Sequence, residues 1–541
     1  MPILRWGGTV DWDEAGQLQI LARRLRQHLD ALLASLAHRP QTDGYVGDVA
    51  VAEQRLAGSL GASPDVILRR LRVPSLRGRR VLLASIEGLV SDQLLAGSVI
   101  APVLDSTVDP ADWDESVLRV AEVRPGRSWT AILLALARGD AALFVDDLPH
   151  CWLVSVAKLH QRDIGRPQTE ITVRGPEDAF NELLGTQMAL LRQRIADPAL
   201  RFIVMSVGHL QHTQVAVVYL DGLTNPAWTE TAVDRLRALD IDGRINATLV
   251  AGLIRDAPRS IFPTMRASER VDMAVWWLLS GKVLILVDGD PFVLAAPAPM
   301  ADFYRTAADY SSSWVDASFS RCIRFGGWAM GVYLPALYIA LTEVNPGLVP
   351  PALLVVIIGN HLGLPFPPIT EALIMVVIIE ILREAALRLP KNLGTTIGTV
   401  GAIVVGTAVV KAGIVSPQVI VVMTLTALAF FSTPVYELSS AWRIVGFLMM
   451  MAAAIFGLFG ILLVTVLLVG ELISMQSFGV PYLEPLAPIQ ARDLMDTVIR
   501  MPWTNWVWRL TTAKPLIPRF RTPRRPAGDG TSADGARDTR P

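Results

Sequence analysis

Glu371, Glu380, Arg383, Glu384 and Arg388 are ionisable residues set in an otherwise apolar stretch. Between 325 and 475 only 11 of 151 residues are Asp, Glu, Lys or Arg, and the other 88 of the chain's 99 charges lie elsewhere. A carboxylate in such surroundings is costly to face toward lipid, so it turns to a cavity, a water path or a basic partner, and it attracts cations. Glu380, Arg383, Glu384 and Arg388 stand at i, i+3, i+4 and i+8, which puts them on one face of a helix over 369–389, opposite Ile374, Ile378 and Ile381. Just upstream, Pro365 and Pro367 in the run Pro365-Phe-Pro-Pro368 forbid a regular helix entry and fix a bend. Glu371 and Glu380 are therefore the candidates for drawing cations, with Arg383, Glu384, Pro365 and Pro367 completing a candidate ion path. An internal ion pair with Arg383 or Arg388 is the plainer alternative.

The elements that position these residues are membrane helices. The hydropathy predicts spans at 325–343, 348–364, 395–415, 419–438 and 445–474, each near or above the ~20 residues that cross ~30 Å of hydrocarbon. The last is long enough to reach about 45 Å, so it must tilt or project. Trp314 and Trp328 are read as marks of the first interface. The amphipathic 369–389 either crosses as a sixth span, lies in the interface, or lines a watery path inside an oligomer. Gly394, Gly398, Ala402 and Gly406 recur at every fourth position, giving a small face for close helix packing, and Thr395, Thr399 and Thr407 add hydroxyls. Arg321, Arg324 and a tail from Gln476 with ten Lys or Arg against six acids are expected on the cytosolic side. That rule leaves five and six spans both open.

Ahead of the apolar third, two stretches match at similar spacing. Ser85-Ile-Glu-Gly-Leu89 and a later Gly139 correspond to Tyr219-Leu-Asp-Gly-Leu223 and a later Gly281. An internal duplication follows. In each copy a β-rich run ends in an acidic residue and a glycine, where Gly permits positive φ and the acid can cap a helix. The expected fold is an α/β cytosolic region of two related subdomains followed by an all-α multi-span transmembrane bundle. Its parts are an N-terminal helical region at 1–60, subdomains at 61–205 and 206–320, the transmembrane domain at 321–475, and a cytosolic tail at 476–541, disordered from about 515. Between the copies, Pro176 is read as opening a helix, with Glu177 and Asp178 at its positive end and Arg192 and Arg194 near the other. Glu170, Arg174, Gly175, Pro176, Glu182, Arg192 and Arg194 then serve either as surface pairs or as a contact between subunits. Asp302, Tyr304, Asp309 and Tyr310, just before the first span, are read as a coupling region.

Composition excludes other classes. A net charge of −1 gives no electrostatic footprint for nucleic acid. The N-terminus lacks the apolar core and cleavage site of a secretory signal, so the first 324 residues are expected in the cytosol. Cys151 and Cys322 make no disulfide framework and read as structural thiols. Of seven histidines only His209 and His212 are close, without a ligand set, and no phosphate loop, nucleophile elbow or dinucleotide fingerprint occurs. No catalytic role, metal or cofactor is expected.

Taken in order, these blocks resemble the A subunits of GerA-type spore germination receptors. The resemblance runs from about Pro64 to Trp508. It includes Ile86-Glu-Gly-Leu89, Glu170-x-x-Val-Arg-Gly-Pro176, Leu191-Arg-x-Arg-Ile195, Pro258-Arg-Ser-Ile-Phe-Pro263, Val287-Asp-Gly-Asp-Pro-Phe292, Leu334-Pro-Ala-Leu-Tyr338, Ile381-Leu-Arg-Glu-Ala385 and Ser477-Phe-Gly-Val-Pro-Tyr482. Two departures are visible. Val271 stands where the family commonly has Pro, which implies loss of a rigid turn, and Gln193 interrupts a run of arginines. The resemblance implies a subunit of a nutrient-sensing receptor in the spore inner membrane, working with permease-like B and lipoprotein C subunits. It further implies a homo-oligomer in contact with lipid that releases monovalent cations. Against this ligand-gated channel stand a secondary transporter, which needs paired broken helices, and a non-conducting scaffold.

Overall fold

The computed structural model describes residues 44–520 apart from 62, 77–78, 159–164, 389–408, 503–505 and 507. Two compact units divide the described residues. One is drawn from Met1–Asp163, Gly185–Val204 and Val218–Thr224, the other from Ile164–Leu184, Met205–Val217 and Asn225–Pro541.

In the first unit, β1 (Val66–Leu71), β2 (Val81–Ile86), β3 (Val123–Gly126), β4 (Asp140–Val145) and β5 (Cys151–Ser155) form a sheet in the order β1-β2-β4-β5-β3. β2 and β4 are apolar runs buried along their whole length, as central strands covered on both faces must be. Strand alternation divides their side chains. Leu82, Ala84, Ile86 and Phe144 join Leu56, Trp129 and Ile132 in one core, whereas Val81, Leu83, Leu143 and Val145 join Trp113 and Trp152 in the other. The first core is closed by α1 (Val49–Leu60) and α2 (Trp129–Ala137). Pro125 sits in β3 at the sheet edge, where its missing N–H removes no ladder bond.

The segment 165–183 is irregular and α3 runs Leu184–Arg194. The helix expected to open at Pro176 is therefore absent, because its carbonyl and its neighbours are drawn into side-chain contacts described below. A second sheet, made of β6 (Leu200–Val207), β7 (Thr213–Leu220), β8 (Arg266–Ser268), β9 (Val283–Val287) and β10 (Val293–Ala296), has the order β6-β7-β9-β10-β8. Renumbered within its half, this is the order of the first sheet, as a duplication predicts. Gly88 and Gly222 follow β2 and β7 with φ of +80° and +74°, and Gly139 and Gly281 precede β4 and β9 with φ of +98° and +93°. The adjacent acids do not cap the next helices. Ser91 and Asn225 do, and Pro226 then takes the first turn of α4 (Pro226–Arg237).

The α/β expectation needs correction on strand direction. All four pairings of the first sheet are antiparallel, as are β9 with β10 and β10 with β8. Apolar runs broken by glycines report burial, and burial does not encode direction. The other departure, Val271, opens α5 (Val271–Leu279). Proline suits that position because its N–H is not needed there; Val271 keeps its N–H and donates it to the Asp178 carbonyl at 3.3 Å.

The apolar third folds into helices α6 (Trp314–Ile339, continued by a π turn over Ala340–Val344), α7 (Pro351–His361), α8 (Pro368–Arg388), α9 (Pro417–Phe431), α10 (Tyr436–Phe456) and α11 (Leu458–Ser474). Trp314–Val344 and Tyr436–Phe456 are long and apolar enough to cross a membrane; α7, α9 and α11 are apolar but shorter. The expected spans are corrected accordingly. The first begins at Trp314, where the Ser313 hydroxyl caps the helix by accepting the Asp316 N–H at 3.2 Å. Residues 348–364 yield only 11 helical residues, about 16 Å long. The 419–438 stretch is split around Pro434, and 445–474 is split at Gly457, whose φ is +62°. Beside that break the Leu458 N–H donates to Asn345 Oδ1 at 3.0 Å. Hydropathy missed the Gly457 break because the chain stays apolar through it, whereas Ser432-Thr433-Pro434 marks the other in the sequence. Most of 395–415 lies outside the described residues.

Trp442, fully buried, centres this core. Trp328 and Phe262 pack on it with centroids 4.9 Å away. Trp328 thus belongs to the helix core and does not mark an interface. Gly327 and Gly331 let α6 approach α9: a Cβ at Gly327 would sit 2.2 Å from Ser432 Oγ, and one at Gly331 would sit 2.8 Å from the Phe430 ring.

Candidate functional site

Three buried acids gather the bases at the head of α6. Arg321, which has no exposed side-chain surface, donates from Nε to Asp309 at 2.9 Å and from Nη1 to Asp496 at 2.7 Å. Arg324 reaches Asp309 at 2.9 Å and the Tyr304 carbonyl at 3.0 Å. The Tyr310 hydroxyl donates to Asp496 at 3.0 Å, and Arg305 donates to the Asp496 carbonyl at 2.9 Å. Asp302 receives both Arg305 and Lys282, the residue just before β9. Burial pushes the Tyr310 phenol up, with Asp496 adding to it, and burial pulls the Lys282 ammonium down against the opposing field of Asp302. Removing these charges from water is costly, so each acid must stay matched by its bases. The network ties β9, the 300–311 connection, α6 and the tail into one piece.

Asp302, Tyr304, Asp309 and Tyr310 were legible as a group, but Asp496 was not. It lies 175 positions beyond Arg321 in a tail that reads as merely polar. Arg321 and Arg324, read as cytosolic charge markers, are also structural partners of these acids. The described tail to Phe520 is likewise tied down, with the Ser477 hydroxyl donating to the Thr264 carbonyl and the Arg509 N–H to the Pro518 carbonyl at 2.8 Å.

The charged face of α8 is divided: Arg383 and the 45%-exposed side chain of Glu380 turn toward α10, while Glu384 faces out. Val377 and Ile381 are 55% and 62% exposed, whereas Glu380 pairs with Arg383 and with Arg443 of α10, the latter at 2.8 Å. Ile381 is thus part of the outward apolar face. Glu380, Arg383 and Arg443 line a cavity of about 820 Å³ together with Thr424, Thr426, Thr433 and apolar residues of α6, α9 and α10. The internal-pair alternative therefore describes Glu380, with Arg443 as a partner that linear spacing could not reveal. Glu384 lies on the exposed side of α8, and the side chain of Arg388 lies outside the described residues.

Glu371 is placed differently. It is fully buried, its Oε2 accepts the Ser416 N–H at 2.8 Å, and Oε1 lies 3.6 Å from His361 Nε2. Pro365 and Pro367 form the turn that brings α7 and α8 together, and the Pro367 carbonyl accepts the Glu371 N–H at 3.1 Å. The sequence offered no signal for His361, ten positions upstream across a proline turn.

The 165–183 segment is held within its own chain. Glu170 accepts from Arg266 at 2.8 Å and from the Ser268 hydroxyl, while buried Arg270 donates to the Glu170 carbonyl at 3.0 Å and the Pro176 carbonyl at 2.7 Å. Gly175 has φ of +121°, and a Cβ there would meet Ser311 Oγ at 2.6 Å. Arg174, Gly175, Pro176, Glu182 and Arg194 are exposed. Arg192 is buried and pairs with Asp65 at 2.8 Å, so it is a core group of the first unit and not a surface fork. Gly394, Gly398, Ala402 and Gly406 lie outside the described residues; among the described ones the small-residue contact is made by Gly327 and Gly331. Cys151 is buried and Cys322 is exposed on α6.

Comparison with known proteins agrees in extent with these elements. A model of the family described as Bacillus/Clostridium GerA spore germination protein matches residues 54–512, from within α1 into the tail. Spore germination protein KA of Bacillus subtilis (strain 168) is 34% identical over 449 residues, covering 82% of each chain. Spore germination protein B1 of the same organism is 35% identical over 451 residues, covering 83% of this chain and 93% of its own. The crystal structure of the N-terminal domain of the A subunit of the Bacillus megaterium spore germinant receptor GerK3 is 25% identical. It covers 48% of this chain and 98% of its own, with a TM-score of 0.39. The agreement of the family model over residues 54–512 and of these relatives over most of their length places this chain in the GerA spore germination protein family.

Proposed function

We propose that this protein is the A-type subunit of a nutrient-sensing germination receptor in the spore inner membrane, and that copies of it assemble around a gated path for monovalent cations. It works with B and C subunits, its N-terminal sheets lie in the cytosol, and its helical region crosses the bilayer several times. The supporting observation is the fully buried carboxylate of Glu371 in an apolar helical region, on the same helix as the Glu380 that pairs with Arg443. Intramembrane acids of this kind face ion paths or partners because lipid exposure is costly. The ion network at the head of α6 supplies the mechanical link: a ligand that favours one state must act through a connection that differs between states, and Arg321 joins the first membrane helix to the connection below it and to the tail. Exposed Arg174, Pro176 and Glu182 remain available for a subunit contact, whereas Glu170 and Arg192 act within the chain.

Glu371→Gln and Glu380→Gln spores should release potassium with altered rate or selectivity on germinant addition, measured by flux with receptor abundance held equal. Unchanged flux removes both residues from the path. Bilayer conductance of the purified protein separates a channel from a scaffold.

A secondary transporter is supported by one feature, the second helix break at Gly457 beside Asn345, in addition to the proline turn before α8. Solute-driven, saturable uptake into proteoliposomes without conductance would favour it.

A further inference from the structure

We propose that Glu371 and His361 together bind one exchangeable proton, making the buried end of α8 a proton site; this names the ligand of the Glu371 position and rests on the reading of that residue as part of the ion path. His361 Nδ1 lies 3.0 Å from the Ile357 carbonyl oxygen, which can only accept, so Nδ1 carries a hydrogen. Nε2 is left to face Glu371 Oε1 at 3.6 Å, and among the described residues neither atom has another hydrogen-bond partner. Without a proton between them, an imidazole lone pair opposes a carboxylate that is fully buried and held by a single N–H. Such an arrangement is repulsive and poorly solvated. One proton resolves it, either as imidazolium beside carboxylate or as carboxylic acid donating to imidazole. Binding it calls for closure by roughly 0.7 Å, to the usual length of a charge-assisted bond.

The elements around the pair supply its setting. The hydroxyls of Tyr338 from α6 and Ser416 at the start of α9 are buried beside it and interact with one another. Glu343, near the end of the π turn, accepts the Ile369 N–H at 3.2 Å, two residues before Glu371. Lys411, on the short helix before Ser416, is exposed. Because His361 ends α7 and Glu371 begins α8, closure on a proton draws the two helices together across the proline turn. Proton occupancy thereby sets their spacing.

The test is a pH titration of the full-length protein in detergent by infrared difference spectroscopy, with Glu371→Gln and His361→Asn assigning the carboxyl and imidazole bands. The two groups should change in one joint transition. Glu371→Gln should alter the protonated fraction of His361 at the wild-type midpoint by ~10-fold or more, as for strongly coupled sites. Separate transitions, or a His361 transition indifferent to Glu371→Gln, overturn the proposal. If Glu371→Gln fails to fold, Glu371→Asp keeps the carboxyl but withdraws it, and the joint transition must split. Potassium release is read separately. A joint transition in wild type with normal release from Glu371→Gln spores keeps the proton site and removes Glu371 from the conduit; altered release with independent transitions does the reverse.

Discussion

Asp146 shows how one carboxylate can hold a unit's edge. It follows β4 directly and accepts the Val49 N–H at 3.0 Å and the Arg80 N–H at 2.9 Å, besides pairing with the Arg80 side chain at 2.8 Å. Burial alone would raise its pKa, but these donors outweigh burial and hold the carboxyl below its ordinary value. A group whose folded pKa is lowered contributes stability above its unfolded value, ~3.9, and loses that contribution as pH falls through the folded value. Asp146→Asn should therefore cost about 1–3 kcal/mol near neutrality and flatten the acid limb of stability below about pH 4, read by hydrogen exchange at Val49–Leu60. The cysteines differ as sharply. Burial pushes the Cys151 thiol up to about 12, so a maleimide should label Cys322 in the native protein and Cys151 only after denaturation. Double labelling of native protein would contradict the burial of β5. The sequence listed both thiols but could not say which one faces out.

Among the elements, the break between α10 and α11 rests on one residue. Gly457 takes a φ that other L-residues adopt only with strain, and a Cβ there would sit 2.1 Å from Asn345 Oδ1. Gly457→Ala should destabilise the helical region by about 1–3 kcal/mol. Asn345→Ala should recover part of this by clearing the clash, although it leaves the Leu458 N–H without its acceptor; thermal melts in detergent compare the two. Gly327→Val should cost a similar ~1–3 kcal/mol by overpacking α6 against α9. The pattern Gly327-x-x-x-Gly331 stands in the sequence alongside the longer stripe at 394–406. Periodicity marks small faces and cannot say which of them meets a neighbour.

At the scale of the molecule, the second unit depends on matching charges that are far apart in the chain. Arg321→Met leaves Asp309 and Asp496 partly unmatched in a buried site and should cost about 3–5 kcal/mol. Asp496→Asn should also destabilise, and the double variant should cost less than the sum because the two changes remove the same interaction. Strict additivity in chemical denaturation would mean that Arg321 and Asp496 do not act together. In spores, either single variant should blunt the germinant response at equal receptor abundance if the network transmits it.

Local chemistry was enough to determine the glycine turns and the apolar third, because each follows from residue type and short-range spacing. The family was legible for the same reason, as an ordered series of short blocks. Strand direction, the break at Gly457, and the partners Asp496, Arg443, His361 and Asp65 were decided only in three dimensions. A buried charge is stabilised by whichever group the fold brings within hydrogen-bond reach, and the distance along the chain to that group is unconstrained.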